Sequence, residues 1–167
     1  CFPGRVNVEN ATAAITVALY AGMTAGEIRE ALPLFQGVAR RFDVHAKNDR
    51  IIYIDDYAHH PREIEASLSS IREMWSEKKL TVAFQPHLYS RTNDFYPDFA
   101  KSLNLADEVI LLDIYPAREK PIPGVTSALI ADRLTVPYVR VTKEDFPAYV
   151  QEHVTEGVFM TVGAGDI

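Results

Sequence analysis

At 167 residues with 47% hydrophobic side chains, the chain can bury the core of one domain and is too apolar for a disordered tail. Its formal charge of -6 argues against a nucleic-acid or anionic-membrane surface, which needs clustered Lys and Arg. The single cysteine, Cys1, rules out an internal disulfide and fits a reducing, cytoplasmic setting; no apolar run reaches the roughly 20 residues of a membrane helix.

The apolar-rich stretch 10–21 predicts a first helix, stopped by Gly22. Thr24 with Glu27 three residues on forms a capping box and opens a second helix through Ile28, Ala31 and Leu32, ending before Gly37. The pattern then changes. Residues 42–46 alternate apolar and polar, 47–50 are a polar turn, and 51–54 return as a buried strand, which predicts a hairpin. Pro61 suits a first helical turn and opens a helix with Ile64, Leu68, Ile71 and Trp75 on one stripe. A strand over 80–84, a helix over 92–103 and a strand over 108–114 follow. After a loop with Pro116, Pro121 and Pro123 come a helix near 127–133, a strand at 138–141, a helix at 146–154 and a strand at 158–162.

Near-continuous apolar strands alternating with helices predict an α/β fold. It is a Rossmann-like, three-layer domain with a mostly parallel sheet of about six strands, preceded by a short helical segment. The change of pattern near Gly37 puts a boundary there, dividing 1–37 from 38–167. The chain opens without Met and stops in the glycine turn Gly163-Ala164-Gly165, so both ends are read as cuts within a longer protein.

In sheets of this kind, binding groups gather at the carboxyl ends of the strands. The polar clusters lie there: 55–60 after one strand, 85–91 after the next, 115–120 after a third. The densest is Asp55-Asp56-Tyr57-Ala58-His59-His60-Pro61. Its carboxylates can accept from a ribose hydroxyl, and its imidazoles sit beside a helix start, which favours anions. The plainer reading is that Asp55 and Asp56 cap the helix and the histidines are solvated. A third reading is a metal-dependent phosphoesterase site, with His87 and Asp113 as further ligands. A fourth is a non-catalytic nucleotide-binding module.

Phe84-Gln85-Pro86-His87-Leu88-Tyr89-Ser90-Arg91-Thr92 places Arg91 directly before a helical pattern, able to pair bidentately with a carboxylate or phosphate. Arg40 and Arg41 lie at the boundary, where one guanidinium could reach a polyphosphate. Asn7 and Asn10 share one side of the first helix start, as caps or as ligands. There is no phosphate-cradling Gly-x-x-x-x-Gly-Lys-Ser/Thr loop, no Gly-x-Gly-x-x-Gly fingerprint and no Gly-x-Ser-x-Gly elbow; Cys1 is a poor nucleophile candidate.

Taken in order, these motifs resemble the Mur ligases, in the branch that adds L-alanine. The matching pieces are Asn7-Val8-Glu9-Asn10-Ala11, Gly37-Val38-Ala39-Arg40-Arg41-Phe42, 55–61, 84–92, Ile114-Tyr115-Pro116-Ala117-Arg118-Glu119 and 161–167. The resemblance implies an ATP-dependent ligation in which the lactyl carboxylate of UDP-N-acetylmuramate is phosphorylated and the amine of L-alanine attacks the acyl phosphate. It implies that 1–37 is the helical tail of a central ATP-binding domain and 38–167 the carboxy-terminal domain, packed on central and amino-terminal domains. The chain alone would be inactive, with no catalytic residue of its own. By position, Asn10, Arg41 and Asp56 would bind ATP; Tyr57, His59 and Arg91 would bind L-alanine; Asn7 and His87 are further candidates. The ligands of Mg2+ would lie in the central domain. Val6 and Leu88 depart from relatives that carry histidine and arginine there.

Overall fold

The computed structural model describes residues 5–35 and 37–167, with the side chains of Arg5 and Val6 excepted. The readings placed on Cys1 and on the Val6 side chain fall outside those bounds. Six strands form one sheet in the order β1-β2-β6-β3-β4-β5. They are β1 (Asp43–Lys47), β2 (Ile51–Asp56), β3 (Leu80–Phe84), β4 (Glu108–Leu111), β5 (Tyr138–Arg140) and β6 (Gly157–Val162). All pairs are parallel except β1 with β2, the predicted hairpin. The expected mostly parallel α/β sheet is borne out.

The helices are α1 (Arg5–Tyr20), α2 (Ala25–Ala31), α3 (Pro61–Met74), α4 (Tyr89–Leu103), α5 (Ala128–Ala131) and α6 (Phe146–His153). Interior strands β3 and β6 are buried along their whole length, as continuous apolar runs require when both faces are covered. On one face, α3, α4 and α5 turn Ile64, Leu68, Ile71, Phe99, Leu103 and Ile130 onto Ile52, Ile54, Val82, Phe84 and Leu111. Each such side chain contributes about 1.5–3 kcal/mol by leaving water. The other face is smaller, with Phe146, Tyr149 and Val150 of α6 packed on Ala83, Ile110 and Phe159. The sheet is closely pinned at its far end. Gly157 has φ +91, and a Cβ there would lie 2.3 Å from the Lys79 carbonyl oxygen, so only glycine lets β6 begin beside β3.

The capping box of α2 is present as read: the Thr24 side chain accepts from Glu27 N–H and Glu27 accepts from Thr24 N–H. Two expectations are corrected. The first helix begins by Arg5, so Asn7 lies in its first turn and Asn10 in its body, and neither stands ahead of it as the N-cap residue. Helix α4 begins at Tyr89, one turn earlier than its apolar stripe, so Arg91 is inside the first turn and not ahead of it. The first buried residue of that helix is the polar Thr92, and its buried apolar residues begin only at Phe99, so the apolar periodicity starts late. Helix α1 leaves Val8, Val17, Leu19 and Tyr20 exposed and packs mainly on α2 and α3. Among the described residues no helix is long and apolar enough to cross a membrane.

Candidate functional site

Strand β2 is followed by its polar loop because His60 and Pro61 start α3 there. His60 is the N-cap: its ring accepts from Arg62 N–H, and Glu63 accepts from the N–H groups of both His59 and His60 at 2.9 and 3.1 Å. Burial raises the Glu63 carboxyl, but those N–H groups, His59 and Arg41 outweigh it and hold the group below its ordinary range. The aspartates therefore do not cap α3; each has another task.

Asp55 is a structural anchor. Its carboxylate accepts from the Thr161 hydroxyl at 2.8 Å and from Arg40 Nε at 3.0 Å. The rest of the Arg40 guanidinium donates to the carbonyls of Gly165 and Gly163 at 3.0 and 2.8 Å. Arg40 thus ties the start of β1 to the turn after β6. That turn is also held from the opposite side, where buried Gln85 exchanges hydrogen bonds with Asp166. A Cβ on Gly165 would lie 2.0 Å from Gln85 Oε1. The neighbouring Arg41 is exposed, with its guanidinium 5.2 Å from the Tyr57 ring centroid.

Asp56 is 5% exposed and accepts from Ala58 N–H at 3.1 Å and from the Ser67 hydroxyl at 2.6 Å. Burial lifts its carboxyl above the ordinary range against the pull of Ser67, Ala58 and the Arg41 charge, with Glu63 adding to the lift. The folded state therefore keeps this proton to higher pH than the unfolded chain. Stability falls as pH rises from the unfolded carboxylate pKa through the folded one, and the full cost stands above it. Asp56→Asn removes that charge and keeps an acceptor for Ala58. It should raise the urea midpoint at about pH 7, and the gain should shrink as pH falls toward about 4.

The 55–60 and 85–91 loops follow β2 and β3, which are not neighbours in the sheet, because β6 lies between them. The loops nevertheless meet beyond the end of β6. Tyr57 and His59 meet edge-on at 5.2 Å, His59 and His87 at 6.2 Å, and His87 stacks on Tyr115 at 5.7 Å. His59 Nδ1 lies 2.9 Å from the Tyr57 carbonyl, which can only accept, so the neutral form of this ring carries its proton on Nδ1 and has Nε2 as its acceptor. His87 has the other tautomer. Its Nδ1 faces the Arg91 guanidinium at 3.4 Å, which can only donate. Burial, Arg91 and His59 lower the His87 pKa against Glu119, keeping the ring neutral near pH 7.

Among the described residues Arg91 forms no ion pair. Its loop runs through Leu88, which has φ 73, a conformation few side chains adopt. The structure thus brings Tyr57, His59, His87 and Arg91 together, with the Arg41 guanidinium against the Tyr57 ring and Asp56 buried at the end of β2. Asn10 is exposed and Asn7 half-buried on α1. Asp113 is exposed and faces Arg140 at 3.8 Å. Among the described residues no three His, Cys, Asp or Glu side chains converge as a metal-ligand set, so the phosphoesterase reading lacks its ligands.

Residues 40–165 match the family model described as Mur ligase, glutamate ligase domain. The chain belongs to this family. The resemblance read from the ordered motifs is borne out. The chain is 52% identical over 99% of its length to a UDP-N-acetylmuramate--L-alanine ligase of Phocaeicola vulgatus, and covers 36% of that protein. A ligase of the same name from Porphyromonas gingivalis is 51% identical, again over 99% of this chain and 36% of the relative. The solved UDP-N-acetylmuramate-alanine ligase of Thermotoga maritima superposes with a TM-score of 0.78 at 35% identity, over 98% of this chain and 35% of that one. The chain therefore spans about a third of the length of the relatives it matches.

Within this Mur ligase domain, sequence reasoning passed over Gln85, Ser90 and Glu119, and it left open which of Arg40 and Arg41 is the anchor. All of these stand inside the motifs quoted above. Their partners lie up to 125 positions away, as Arg40 and Gly165 do, and no local spacing shows such pairs.

Proposed function

We propose that the chain is the carboxy-terminal domain of a longer ATP-dependent ligase that joins L-alanine to UDP-N-acetylmuramate in peptidoglycan precursor synthesis. In this reading 1–37 is the tail of a central ATP-binding domain and 38–167 closes over the reactants in the cytoplasm. The observation that carries it is the convergence of Arg91, His87, His59 and Tyr57 beyond β6, in a chain about half identical to ligases of that name.

A zwitterionic amino acid is held by a cation at its carboxylate and hydrogen-bond acceptors at its ammonium. Arg91, with no carboxylate partner among the described residues, can grip a carboxylate bidentately. The Nε2 of His59 and the phenol of Tyr57 offer lone pairs to the ammonium, and His87 steadies Arg91. Asp56 accepts from the adenosine ribose, and exposed Arg41 reaches the ATP phosphates, with Asn10 and Asn7 approaching the nucleotide from α1. Phosphoryl transfer from ATP to the lactyl carboxylate gives an acyl phosphate and ADP. The ammonium of L-alanine loses one proton to become the amine, the amine attacks the acyl carbon, phosphate leaves, and the nitrogen gives up a second proton as the amide forms. Among the described residues no three His, Cys, Asp or Glu side chains converge, and in this reading the Mg2+ ligands belong to the rest of the longer protein.

The longer protein should consume ATP and release phosphate only when UDP-N-acetylmuramate and L-alanine are both present. The isolated 167-residue chain should show no ligation and no heat of ATP binding in titration calorimetry. Ligase activity from the isolated chain would sink this reading, and tight ATP binding by it would favour a stand-alone nucleotide-binding module.

A further inference from the structure

The loop after β4 grips the loop after β3. The Tyr115 carbonyl accepts from Leu88 N–H at 3.0 Å, and Tyr115 N–H donates to the Pro86 carbonyl at 2.8 Å. Glu119 then reaches back across. One of its carboxylate oxygens accepts from Ser90 N–H at 3.0 Å and the other from the Ser90 hydroxyl at 2.5 Å. Ser90 precedes Arg91 in the first turn of α4, where unpaired N–H groups favour a negative charge. The Ser90 hydroxyl and N–H outweigh slight burial and keep the Glu119 carboxyl below its ordinary range, so it is ionised at neutral pH.

This grip answers a structural need. Leu88 holds φ 73 and ψ 136, and such a backbone persists only where its surroundings over-determine it. Leu88 is tied on both sides. Tyr115 holds its N–H, while Thr92 N–H and hydroxyl hold its carbonyl at 3.1 and 2.8 Å. Glu119 locks the residue between those two anchors and Arg91. The acid also fills the helix terminus, so an incoming carboxylate finds the Arg91 guanidinium and not the α4 N–H groups.

We infer that Glu119 is a positioning residue: through Ser90 it fixes the first turn of α4 and so sets where Arg91 and His87 face the amino acid. The inference rests on the reading that Arg91 receives the L-alanine carboxylate. Glu119 acts by hydrogen-bond geometry, and its charge does not touch the substrate.

The test uses the longer ligase. Glu119→Ala should raise the KM for L-alanine roughly tenfold, leaving that for ATP within about twofold, because misplacing a binding group is costly. Glu119→Gln can accept from Ser90 N–H and donate to its hydroxyl, so its rise should stay below about threefold. A glutamine variant as impaired as the alanine one would overturn the geometric role in favour of direct charge contact. An unchanged alanine KM in E119A, beside a raised one in R91A, would overturn the latch and leave the site reading standing. R91A without effect sinks the site reading instead, and hydrogen exchange in the 167-residue chain then decides the latch. Faster exchange at Ser90 and Arg91 in E119A supports it, and unchanged exchange overturns it. Should E119A not fold, Ser90→Ala carries the kinetic test with the same two outcomes.

Discussion

Replacing Arg91 with alanine is expected to raise the KM for L-alanine about a hundredfold in the longer ligase, and to move the KM for ATP less than about threefold. Hydrogen bonds between a guanidinium and a carboxylate are worth roughly 1.5–3 kcal/mol each, so losing even one bidentate grip is equivalent to about two decades. The effect should fall on one substrate because Arg91 has a single unmet need. It has no carboxylate partner among the described residues, and His87, which faces it at 3.4 Å, is a weak acceptor. Arg91→Lys should recover little, since an ammonium cannot present two parallel donors. Asp56→Asn is the complementary variant, expected to weaken ATP and spare L-alanine. Steady-state kinetics with each substrate varied in turn separate the two. Equal effects of R91A on both substrates would remove Arg91 from the amino-acid site.

The second large effect concerns stability. Arg40→Ala should destabilise the domain by about 3 kcal/mol, read as a lower urea midpoint with an unchanged slope. The substitution leaves Asp55, whose side chain is 10% exposed, held by the Thr161 hydroxyl without its cation. It also frees the carbonyls of Gly163 and Gly165 from their guanidinium. Removing one member of a buried pair costs roughly 3–5 kcal/mol, and the lower end applies because the Arg40 side chain is 33% exposed. Arg41→Ala is the control. Its side chain is exposed and its stack on Tyr57 is shared with Arg40, so it should cost about 0.5 kcal/mol or less. In the longer protein it should instead weaken ATP. Equal destabilisation by the two variants would refute this division of labour.

The adjacent arginines show where a linear reading stops. Both were visible as basic residues at a boundary, and nothing in Arg40-Arg41 tells which is the staple. That is decided by the left-handed backbone at Arg40, φ 59, which turns its side chain toward Asp55 and the glycine turn. The aspartate pair is similar. Residues alternating along β2 point to opposite faces, so Asp55 meets Arg40 and Thr161 while Asp56 meets Ser67 of α3. The capping box at Thr24, the hairpin, and the start of α3 at Pro61 were legible because each is set within a few residues by local hydrogen bonding or ring geometry.

From the sequence alone came the alternation of strands and helices, the placement of polar clusters at strand ends, and the ordered motifs that mark the family. Those follow from periodicity and local chemistry, which act over one or two turns of chain. The folded structure alone decided that β6 inserts between β2 and β3, that two loops thereby meet over its end, and that Glu119 braces Ser90. Strand order and long-range pairing depend on how layers pack around a shared core, and that information is spread over residues a hundred or more positions apart, as Asp55 and Thr161 are.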